Sequence, residues 1–485
     1  MCRASRNRVP HVKDLLMPRI PRSAALFSHV AILLSSTSTW AQLTISTDTT
    51  SPVRTSTAVS GAPADIEVTE DGTIDLAGGD AITVDSNNAV TLDGAISVDS
   101  ADNSSGIHIN SGTNSAINIG EDGAISITED YTIDDDDRIV TTGISSASNR
   151  YGIYADGNAS GTILNEGSIS VEGQNSGGIV LNGNWTGDIT STGSIASIGD
   201  YATGISAKAI DGNLIVRGPV SVVGYGSTAI SVDGDVTGTA LIQGAVTKGY
   251  TYTGDDGKTY TLSRAALRAG TPAVSITGNV SGGIYVAVPP SDDDSSNDDE
   301  DNDGIDDSEE GSGSITTYGN GPALQIGGVS DITIGAVNAN VGTYSLAIEG
   351  AVSSSSYYSD TDAYGVVIGG QGGNVALTDG IGVSGSISAT TYDSNATALL
   401  INSGSTVTKL YNSGTISAGL SSPGEGTTTA IRDLSGTLTT LENTGDISAG
   451  GSSTDIRTAI DLSANTSGVT INQYLDADDA ETRAE

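Results

Sequence analysis

The sequence has almost no cysteine, histidine or phenylalanine, and these absences narrow its fold and its chemistry. Its 485 residues include 1 Cys, 3 His, 1 Phe and 2 Trp. Because the one cysteine is Cys2, near the start of the chain, a disulfide framework is excluded. A core of large aromatic side chains is excluded as well. A stable fold must therefore come from aliphatic residues and backbone hydrogen bonds.

Basic residues are also scarce. The chain has 19 Lys and Arg against 59 Asp and Glu, which gives a formal net charge of −40. Such a charge repels nucleic acid and anionic membrane surfaces, and it attracts cations. We therefore expect no nucleic-acid partner, and we consider calcium as a ligand.

Long hydrophobic runs are absent, and the longest apolar stretch lies near the start of the chain. Residues 24–34 are apolar, follow two arginines, and precede small residues that end in Ala41. This succession is typical of a secretory signal peptide that starts at Met17. A membrane-spanning helix needs roughly 20 apolar residues, so this stretch is too short to be one. The sequence therefore predicts a leader with a signal peptide over residues 1–41.

Glycine is abundant, with 64 residues, and it marks a repeat of about 25 residues. One step of the repeat is a small residue followed by isoleucine, at Gly152-Ile153, Gly178-Ile179, Gly204-Ile205 and Ala229-Ile230. A second step, Gly-x-Ile or Gly-x-Val, advances with it, at Gly167, Gly193, Gly218 and Gly244. A turn-like Gly-Asn/Asp-x-x-Gly step lies between them, as at 157–161. Each repeat therefore contains three short strand-like segments separated by turns.

A unit of this size cannot bury an apolar face alone, but stacked coils pair each strand with the equivalent strand of the next turn. The repeat therefore predicts an all-β fold: a right-handed parallel β-helix (solenoid) of roughly 25–33-residue coils with three short strands per coil. The coils should occupy residues 42–288 and 313–473. We expect one internal ladder of isoleucines, formed by Ile153, Ile179, Ile205 and Ile230.

Two further features belong to particular coils. Trp185 occupies the position of Ala159 and Val236 in other coils, so we expect it to pack in the core rather than to stack on a sugar. Downstream coils are longer, and their extra residues follow a Gly-x-Ile-Ser-Ala step, at 390–396 and 419–429. Growth at one point of the repeat predicts that one corner of the solenoid carries the loops.

Three insertions interrupt the repeat. The first spans residues 129–148 and contains a run of aspartates at 134–137, which we interpret as a solvated loop. The second spans residues 250–268 and alternates like two strands around a Gly-Asp-Asp-Gly turn. It predicts a β-hairpin that projects from the solenoid. The third is acidic and spans residues 289–312.

The third insertion holds the one spacing in the sequence that is typical of a ligand site. Its acidic residues follow a D-x-D-x-D-G-x-x-D pattern, and a glutamate stands at the twelfth position. This spacing resembles EF-hand-like calcium loops. Calcium prefers about six to eight oxygen ligands, and Gly304 would allow the bend that gathers them. The predicted ligands are Asp299, Asp301, Asp303, Ile305 (through its carbonyl), Asp307 and Glu310. The alternative is a solvated acidic linker.

The leader, the glycine repeat and the Asn-x-Gly-x-Ile segments at 165–169, 412–416 and 443–447 resemble the passenger region of bacterial type V autotransporters. The resemblance covers residues 43–473. It implies export through the inner membrane to the cell surface, the outer membrane or the extracellular space. Autotransporters also carry a C-terminal outer-membrane β-barrel, whereas residues 474–485 are acidic and lack alternating aromatic strands. Either the chain is a fragment of a longer protein, or it is anchored by another route, and attachment to the outer membrane through a barrel would require the missing segment.

These features predict a structural or adhesive display rod rather than an enzyme, with surface glycans or host or neighbour-cell proteins as partners. Beyond the leader, His108 is the only histidine, and we expect it at an outward strand position. One alternative is a polysaccharide-active β-helix enzyme, which requires acidic side chains from adjacent coils to converge with a base. The sequence places no acidic constellation beside Lys208, Arg217 or Arg432. The other alternative is a calcium-dependent surface-layer component.

Overall fold

The computed structural model describes residues 41–99, 101–130, 137–290, 299–300, 307, 310–421, 426–452 and 455–474. These residues belong to one compact unit. They form an almost entirely β structure in which strands from successive coils stack in parallel. The predicted parallel β-helix, or solenoid, is thereby confirmed. Within the described part, no helix is long and apolar enough to cross a membrane.

The elements are short and follow one another closely along the chain. The first are β1 (Gln42–Ile45), β2 (Val53–Arg54), a 3-10 helix (Thr55–Thr57), β3 (Asp65–Val68), β4 (Thr73–Leu76), β5 (Asp80–Val84), β6 (Val90–Leu92), β7 (Ala95–Asp99), β8 (Ser104–Ile109), β9 (Asn114–Ile119), β10 (Ala124–Thr128) and β11 (Ile139–Val140). The next are β12 (Arg150–Ala155), β13 (Ala159–Asn165), β14 (Ser168–Glu172), β15 (Gly177–Thr186), β16 (Ile189–Ser191), β17 (Ser194–Ile198), β18 (Thr203–Asp211), β19 (Leu214–Val216), β20 (Val220–Val223), β21 (Thr228–Val232), β22 (Ala240–Ile242) and β23 (Ala245–Lys248).

The second half begins with the hairpin insertion. It contains β24 (Thr251–Thr253), β25 (Thr259–Leu262), α1 (Arg264–Leu267), β26 (Val274–Ile276), β27 (Ile284–Val286), β28 (Ser314–Tyr318), β29 (Leu324–Ile326), β30 (Ile332–Ile334), β31 (Val337–Ala339), β32 (Gly342–Tyr344), β33 (Leu346–Ile348), β34 (Ala351–Ser355) and β35 (Ala363–Ile368). The last are β36 (Val375–Leu377), β37 (Ile381–Val383), β38 (Ser386–Thr391), β39 (Ala396–Ile401), β40 (Ser405–Val407), β41 (Lys409–Asn412), β42 (Thr415–Leu420), β43 (Thr427–Asp433), β44 (Thr440–Asn443), β45 (Asp446–Ala449), β46 (Ile456–Asp461) and β47 (Thr470–Gln473).

Each full coil contributes three strands to two sheets. In the coil that begins at β12, for example, β12 and β13 belong to a 27-stranded sheet, and β14 belongs to a 12-stranded sheet. Each of these strands pairs in parallel with its equivalent in the next coil, namely β15, β16 and β17. Among the described strands, the antiparallel pairs are β24 with β25 and β31 with β32. The antiparallel hairpins are therefore additions to a parallel framework.

The core consists of aliphatic ladders that run from coil to coil. Ile153 pairs with Ile179, Ile179 with Ile205, and Ile205 with Ile230, and all four side chains are buried. This confirms the predicted isoleucine ladder. Burying one such side chain is worth about 1.5–3 kcal/mol, so the ladders supply much of the stability of the solenoid.

Trp185 lies in the same core, as the repeat predicts. It pairs with Ala159 in the preceding coil and with Ile210 in the following coil, and it is only 1% exposed. The small side chain of Ala159 leaves room for the indole ring in the ladder. Trp185 is therefore a packing residue.

Contacts between coils explain two recurrent residues of the repeat. A Cβ on Gly193 would lie 2.0 Å from the carbonyl oxygen of Gly167, so only glycine allows this close backbone approach. The asparagine of the Asn-x-Gly-x-Ile segments is buried, and its amide reaches the next coil. Asn412 Nδ2 donates to Asn443 Oδ1 at 2.7 Å. This bond satisfies a buried amide donor that would otherwise destabilise the core.

Most of the added residues lie at one place, where the chain leaves a strand of the 12-stranded sheet and enters the next strand of the isoleucine ladder. We call this place the insertion corner. Residues 129–130 and 137–149 lie there, between β10 and β12, and residues 249–273 lie there between β23 and β26. The loop at 356–362 lies between β34 and β35, at the same corner. The acidic segment differs, because it lies between β27 and β28, at another corner.

The insertions at this corner pack against one another into what we call the insertion layer, formed by residues 137–149, 249–272 and 356–362. β11 pairs in parallel with β25, which pairs antiparallel with β24. Tyr260 and Leu262 of this hairpin are 2% and 1% exposed. The predicted hairpin is present, and it packs against β11 instead of standing alone. Its apolar face is covered because two insertions distant in sequence meet at the same corner.

Candidate functional site

A pocket of about 300 Å³ opens on the outer face of three successive coils, over β5, β8 and β12. Its wall combines polar and aromatic side chains, and the lining residues are Asp80, Asn103, Ser104, Ser105, His108, Asn149, Tyr151 and Tyr154. Its volume lies at the small end of the range of about 300–1,000 Å³ for small-molecule sites. It can therefore hold a small ligand.

Strand register brings these residues together. One row on the outer face is Asp80, Ser105 and Tyr151, which pair in sequence across β5, β8 and β12. The neighbouring row is Thr83, His108 and Tyr154, which pair across the same strands. Between the two rows, each strand turns an isoleucine into the core. The outward positions are therefore free to carry different side chains in each coil.

His108 lies at an outward position, as expected, and it is held between two carboxylates. Its Nδ1 lies 2.7 Å from Asp80 Oδ2, and its Nε2 lies 3.5 Å from Asp156 Oδ2. Ser105 Oγ donates to the other oxygen of Asp80. The imidazole therefore joins acidic side chains of the preceding and the following coil.

These contacts shift the pKa values of both partners. The hydrogen bond with Asp80 raises the pKa of His108 above its ordinary value, and it outweighs the opposing effect of burial. Burial acts to raise the pKa of Asp80, but hydrogen bonds from His108 and Ser105, together with the positive charges of His108 and Arg54, lower it by more. The pair therefore favours an imidazolium beside a carboxylate.

The aromatic wall of the pocket is a stack of rings. Tyr151 and Tyr154 lie nearly parallel, with centroids 4.5 Å apart and an interplanar angle of 12°. The ring of Tyr154 also lies 5.1 Å from that of His108. Asn182 Nδ2 donates to the Tyr154 hydroxyl at 3.1 Å. The Tyr154 ring is thereby held by neighbours from both adjacent coils, and the Tyr151 ring stacks on it.

The rim and the base of the pocket are also fixed by hydrogen bonds. Asn149 Nδ2 donates to Asn103 Oδ1 at 3.1 Å, and both residues have positive φ, at 57° and 54°. Arg150, which is fully buried, donates to the carbonyl oxygens of Val98, Thr128 and Glu172. Because Arg150 ties the start of β12 to three strands of the other sheet, Tyr151 occupies a preorganised position.

The predicted calcium residues are only partly described. Asp301, Asp303 and Ile305 lie outside the described residues, as do 134–136 of the first aspartate run. Of the other predicted ligands, Asp307 Oδ1 accepts from the Glu300 amide at 3.4 Å.

The other described contact of this segment concerns Glu310. Its fully covered side chain has Oε1 at 3.7 Å from Arg217 Nε. Asp299 is described as well, but it and the other described acidic residues form no group of three or more that could hold a metal ion.

The basic residues that lack acidic neighbours in sequence acquire them in space. Lys208 Nζ lies 2.6 Å from Asp233 Oδ2, and Arg432 Nε lies 3.4 Å from Asp461 Oδ2. Each pair joins neighbouring coils across an outer strand face. These side chains are at least partly exposed, so each pair contributes about 0–1 kcal/mol.

Sequence reasoning placed His108 on the outer face but missed its partners. A signal was present, because each coil shares the pattern x-small-Ile-x. Aligning these patterns aligns Asp80 with Ser105 and Tyr151, and Thr83 with His108 and Tyr154. The variable positions on either side of the isoleucine therefore define the pocket.

Comparisons with protein-family models, with curated proteins and with solved structures find no match for this chain. The functional proposal therefore rests on the solenoid, its insertion corner and the pocket.

Proposed function

We propose that this chain is an exported passenger of the autotransporter type, which acts at the cell surface or outside the cell as a structural and adhesive scaffold. The observation that carries the proposal is the insertion corner, where residues 137–149, 249–273 and 356–362 all leave the parallel framework. A solenoid with loops on one side presents many contacts in a row. Such contacts gain strength by acting together.

The insertion corner also carries exposed tyrosines, which support a role in contact. Tyr201, Tyr357 and Tyr392 are 54%, 51% and 46% exposed, and each follows a strand of the 12-stranded sheet. Tyrosine is enriched at protein interfaces because its ring is large and rigid and its hydroxyl is polar. The partners proposed are surface glycans or proteins of host or neighbouring cells.

The experiment uses the source cells. Antibodies against the full chain should label intact cells or the culture medium, and the recovered protein should begin at Gln42. A strain without the gene should lose part of its attachment or aggregation. Labelling that requires broken cells, or a recovered protein that still carries residues 1–41, would refute the export part of the proposal.

We propose that this scaffold is not an enzyme. A serine hydrolase needs its serine hydrogen-bonded to the histidine, whereas Ser105 donates to Asp80. Both ring nitrogens of His108 face carboxylates, and its raised pKa favours the protonated form, which cannot accept a proton. A polysaccharide-active enzyme remains the second candidate, because Asp80 and Asp156, from the coils before and after that of His108, converge on this histidine.

The two functions make different predictions for polysaccharides mixed with the purified chain. A scaffold should leave the polymers at their starting length, as measured by size-exclusion chromatography. Shortening by the wild-type chain, lost in His108→Asn, would favour the enzyme.

We also propose that residues 299–310 bind calcium, as the spacing of Asp299, Asp301 and Asp303 indicates. Calcium would then order a negatively charged segment of a surface scaffold, as a calcium-dependent surface-layer component requires. Arg217, beside Glu310, competes for that carboxylate. The site is therefore expected to be weak, in the range of about 10⁻⁴–10⁻³ M that suits extracellular calcium.

A further inference from the structure

We propose that the pocket between β5, β8 and β12 binds one uncharged sugar ring of a glycan. The geometry that points to this ligand is the combination of two stacked tyrosines with a cluster of fixed polar groups, in a space of about 300 Å³. The inference adds a ligand class to the proposed adhesive function. It rests on that function only for the place where the protein meets the glycan. Binding itself requires only the folded coils.

The aromatic wall fits the apolar face of a sugar. A pyranose ring carries several C–H groups on one face, and these pack favourably against an aromatic ring. Tyr151 and Tyr154 both line the pocket and are fixed by their mutual stacking. A fixed ring loses little conformational entropy when a ligand binds, so the wall is preorganised.

The polar wall fits the hydroxyl groups of the same ligand. Asn103 and Asn149 each carry an amide that both donates and accepts, and Ser104 adds a hydroxyl. Asp80 contributes a carboxylate whose position is fixed by His108 and Ser105. A ring with hydroxyl groups on its edge and C–H groups on its face matches both walls at once.

The charges of the site favour an uncharged sugar over an acidic one. Asp80 and Asp156 flank a single histidine, so these three groups together are negatively charged whether or not the imidazole is protonated. The chain as a whole carries a formal charge of −40. A uronate or another carboxylated sugar would meet repulsion both at the pocket and at long range.

The strand pairing of the site argues against a peptide ligand. β8 pairs with β5 on one side and with β12 on the other, and β12 pairs in turn with β15. No strand edge is open at the pocket for a peptide to extend the sheet. A compact ligand recognised by side chains is therefore favoured.

The experiment is saturation-transfer NMR followed by titration, with the purified full chain and neutral disaccharides of glucose, galactose, mannose and N-acetylglucosamine. A glucuronate-containing disaccharide serves as the acidic comparison. We expect saturable binding of at least one neutral sugar, weaker binding of the acidic one, and affinity reduced about tenfold or more in Tyr151→Ala and Tyr154→Ala.

Two variants separate recognition from folding. Tyr474→Ala removes an exposed tyrosine far along the chain, away from the pocket and the insertion corner, and should bind as the wild type does. Tyr154→Phe keeps the ring and should retain binding within a few-fold. All variants should keep the β-sheet circular dichroism spectrum of the wild type.

The outcomes separate this inference from the proposed function. Absence of binding to every neutral sugar, equal binding by the tyrosine-to-alanine variants, or preference for the acidic sugar would overturn the inference. Sugar binding by a chain that cells retain in the cytoplasm would support the pocket while refuting the exported scaffold.

Discussion

The inside of the solenoid and its outer face follow different rules, although both are built from the same strands. At the inward position of successive coils, Ile153, Ile179 and Ile205 are the same residue in register. At the adjacent outward position, Tyr154, Val180 and Ser206 pair in the same way but differ in chemistry. The stacking of coils therefore restricts the residue type at the inward position, whereas the adjacent outward position accepts different residue types. Specific function is expected where outward residues converge.

The largest loss of stability is expected for a substitution inside the solenoid. Trp185→Ala removes a fully buried indole between Ala159 and Ile210 and should lower the free energy of unfolding by about 3–5 kcal/mol. The matched variant Asn184→Ala changes an exposed side chain on the same strand and should stay within about 0.5 kcal/mol of the wild type. Urea titration followed by circular dichroism measures both. Similar losses in the two variants would contradict the distinction between inside and outside.

A substitution in the insertion layer should cause a loss of stability between that of a core variant and that of an exposed variant. Tyr260→Ala opens a small core that contains Val140 and Ile144, so it should destabilise the layer locally by about 1–3 kcal/mol. Hydrogen exchange should accelerate in β11, β24 and β25. Exchange in β15 and β18 should not change, because the ladder does not depend on the layer. Acceleration throughout the solenoid would show that layer and ladder unfold as one unit.

The acidic segment tests whether a function can lie outside the repeat altogether. Calorimetry should detect saturable calcium binding to the wild type and its loss in Asp301→Ala plus Asp303→Ala. If the site is tenfold saturated, calcium should raise the stability of the wild type by about 1.4 kcal/mol and leave the variant unchanged. Equal heats from both proteins would indicate diffuse attraction of cations to a solvated linker.

The smallest effect on stability is expected for the His108–Asp80 pair at the pocket, and it depends on pH. The pKa of His108 is raised above 6.5, so its pairing stabilises the folded state fully below pH 6.5 and is lost as the pH rises through the raised pKa. The pKa of Asp80 is lowered below 3.8, so its share is present above pH 3.8 and is lost as the pH falls through the lowered pKa. The pair should therefore stabilise most between these limits.

Both groups are partly exposed, so the pair should contribute about 0–1 kcal/mol. Urea midpoints of the wild type and His108→Gln should differ most at mildly acidic pH and converge in alkaline solution. A difference that grows with rising pH would mean that the imidazole is not held as a cation.

The comparison also explains what could be predicted from the sequence. The isoleucine ladder and the position of Trp185 were predictable, because every coil repeats the same inward constraint. The hairpin at 250–268 was predictable from its own alternation. Its contact with β11 was not, because the two insertions share no pattern and meet only where the corner brings them together.

The site was less predictable than the fold. His108 was correctly placed on the outer face, but Asp80 lies in the preceding coil, and Tyr151 and Tyr154 lie in the following one. No local pattern links them, and only the register joins them. The calcium spacing is a local pattern, and its prediction stays open.

The insertion corner separates the length of the chain from the geometry of its core. Residues 249–273 are inserted there, yet Ile230 still pairs with Val274 as Ile205 pairs with Ile230. A gene for such a protein can gain or lose segments at this corner without disturbing the stacking of the coils. The corner is therefore a natural place for the surface of the protein to diversify, and a suitable graft position for a foreign epitope.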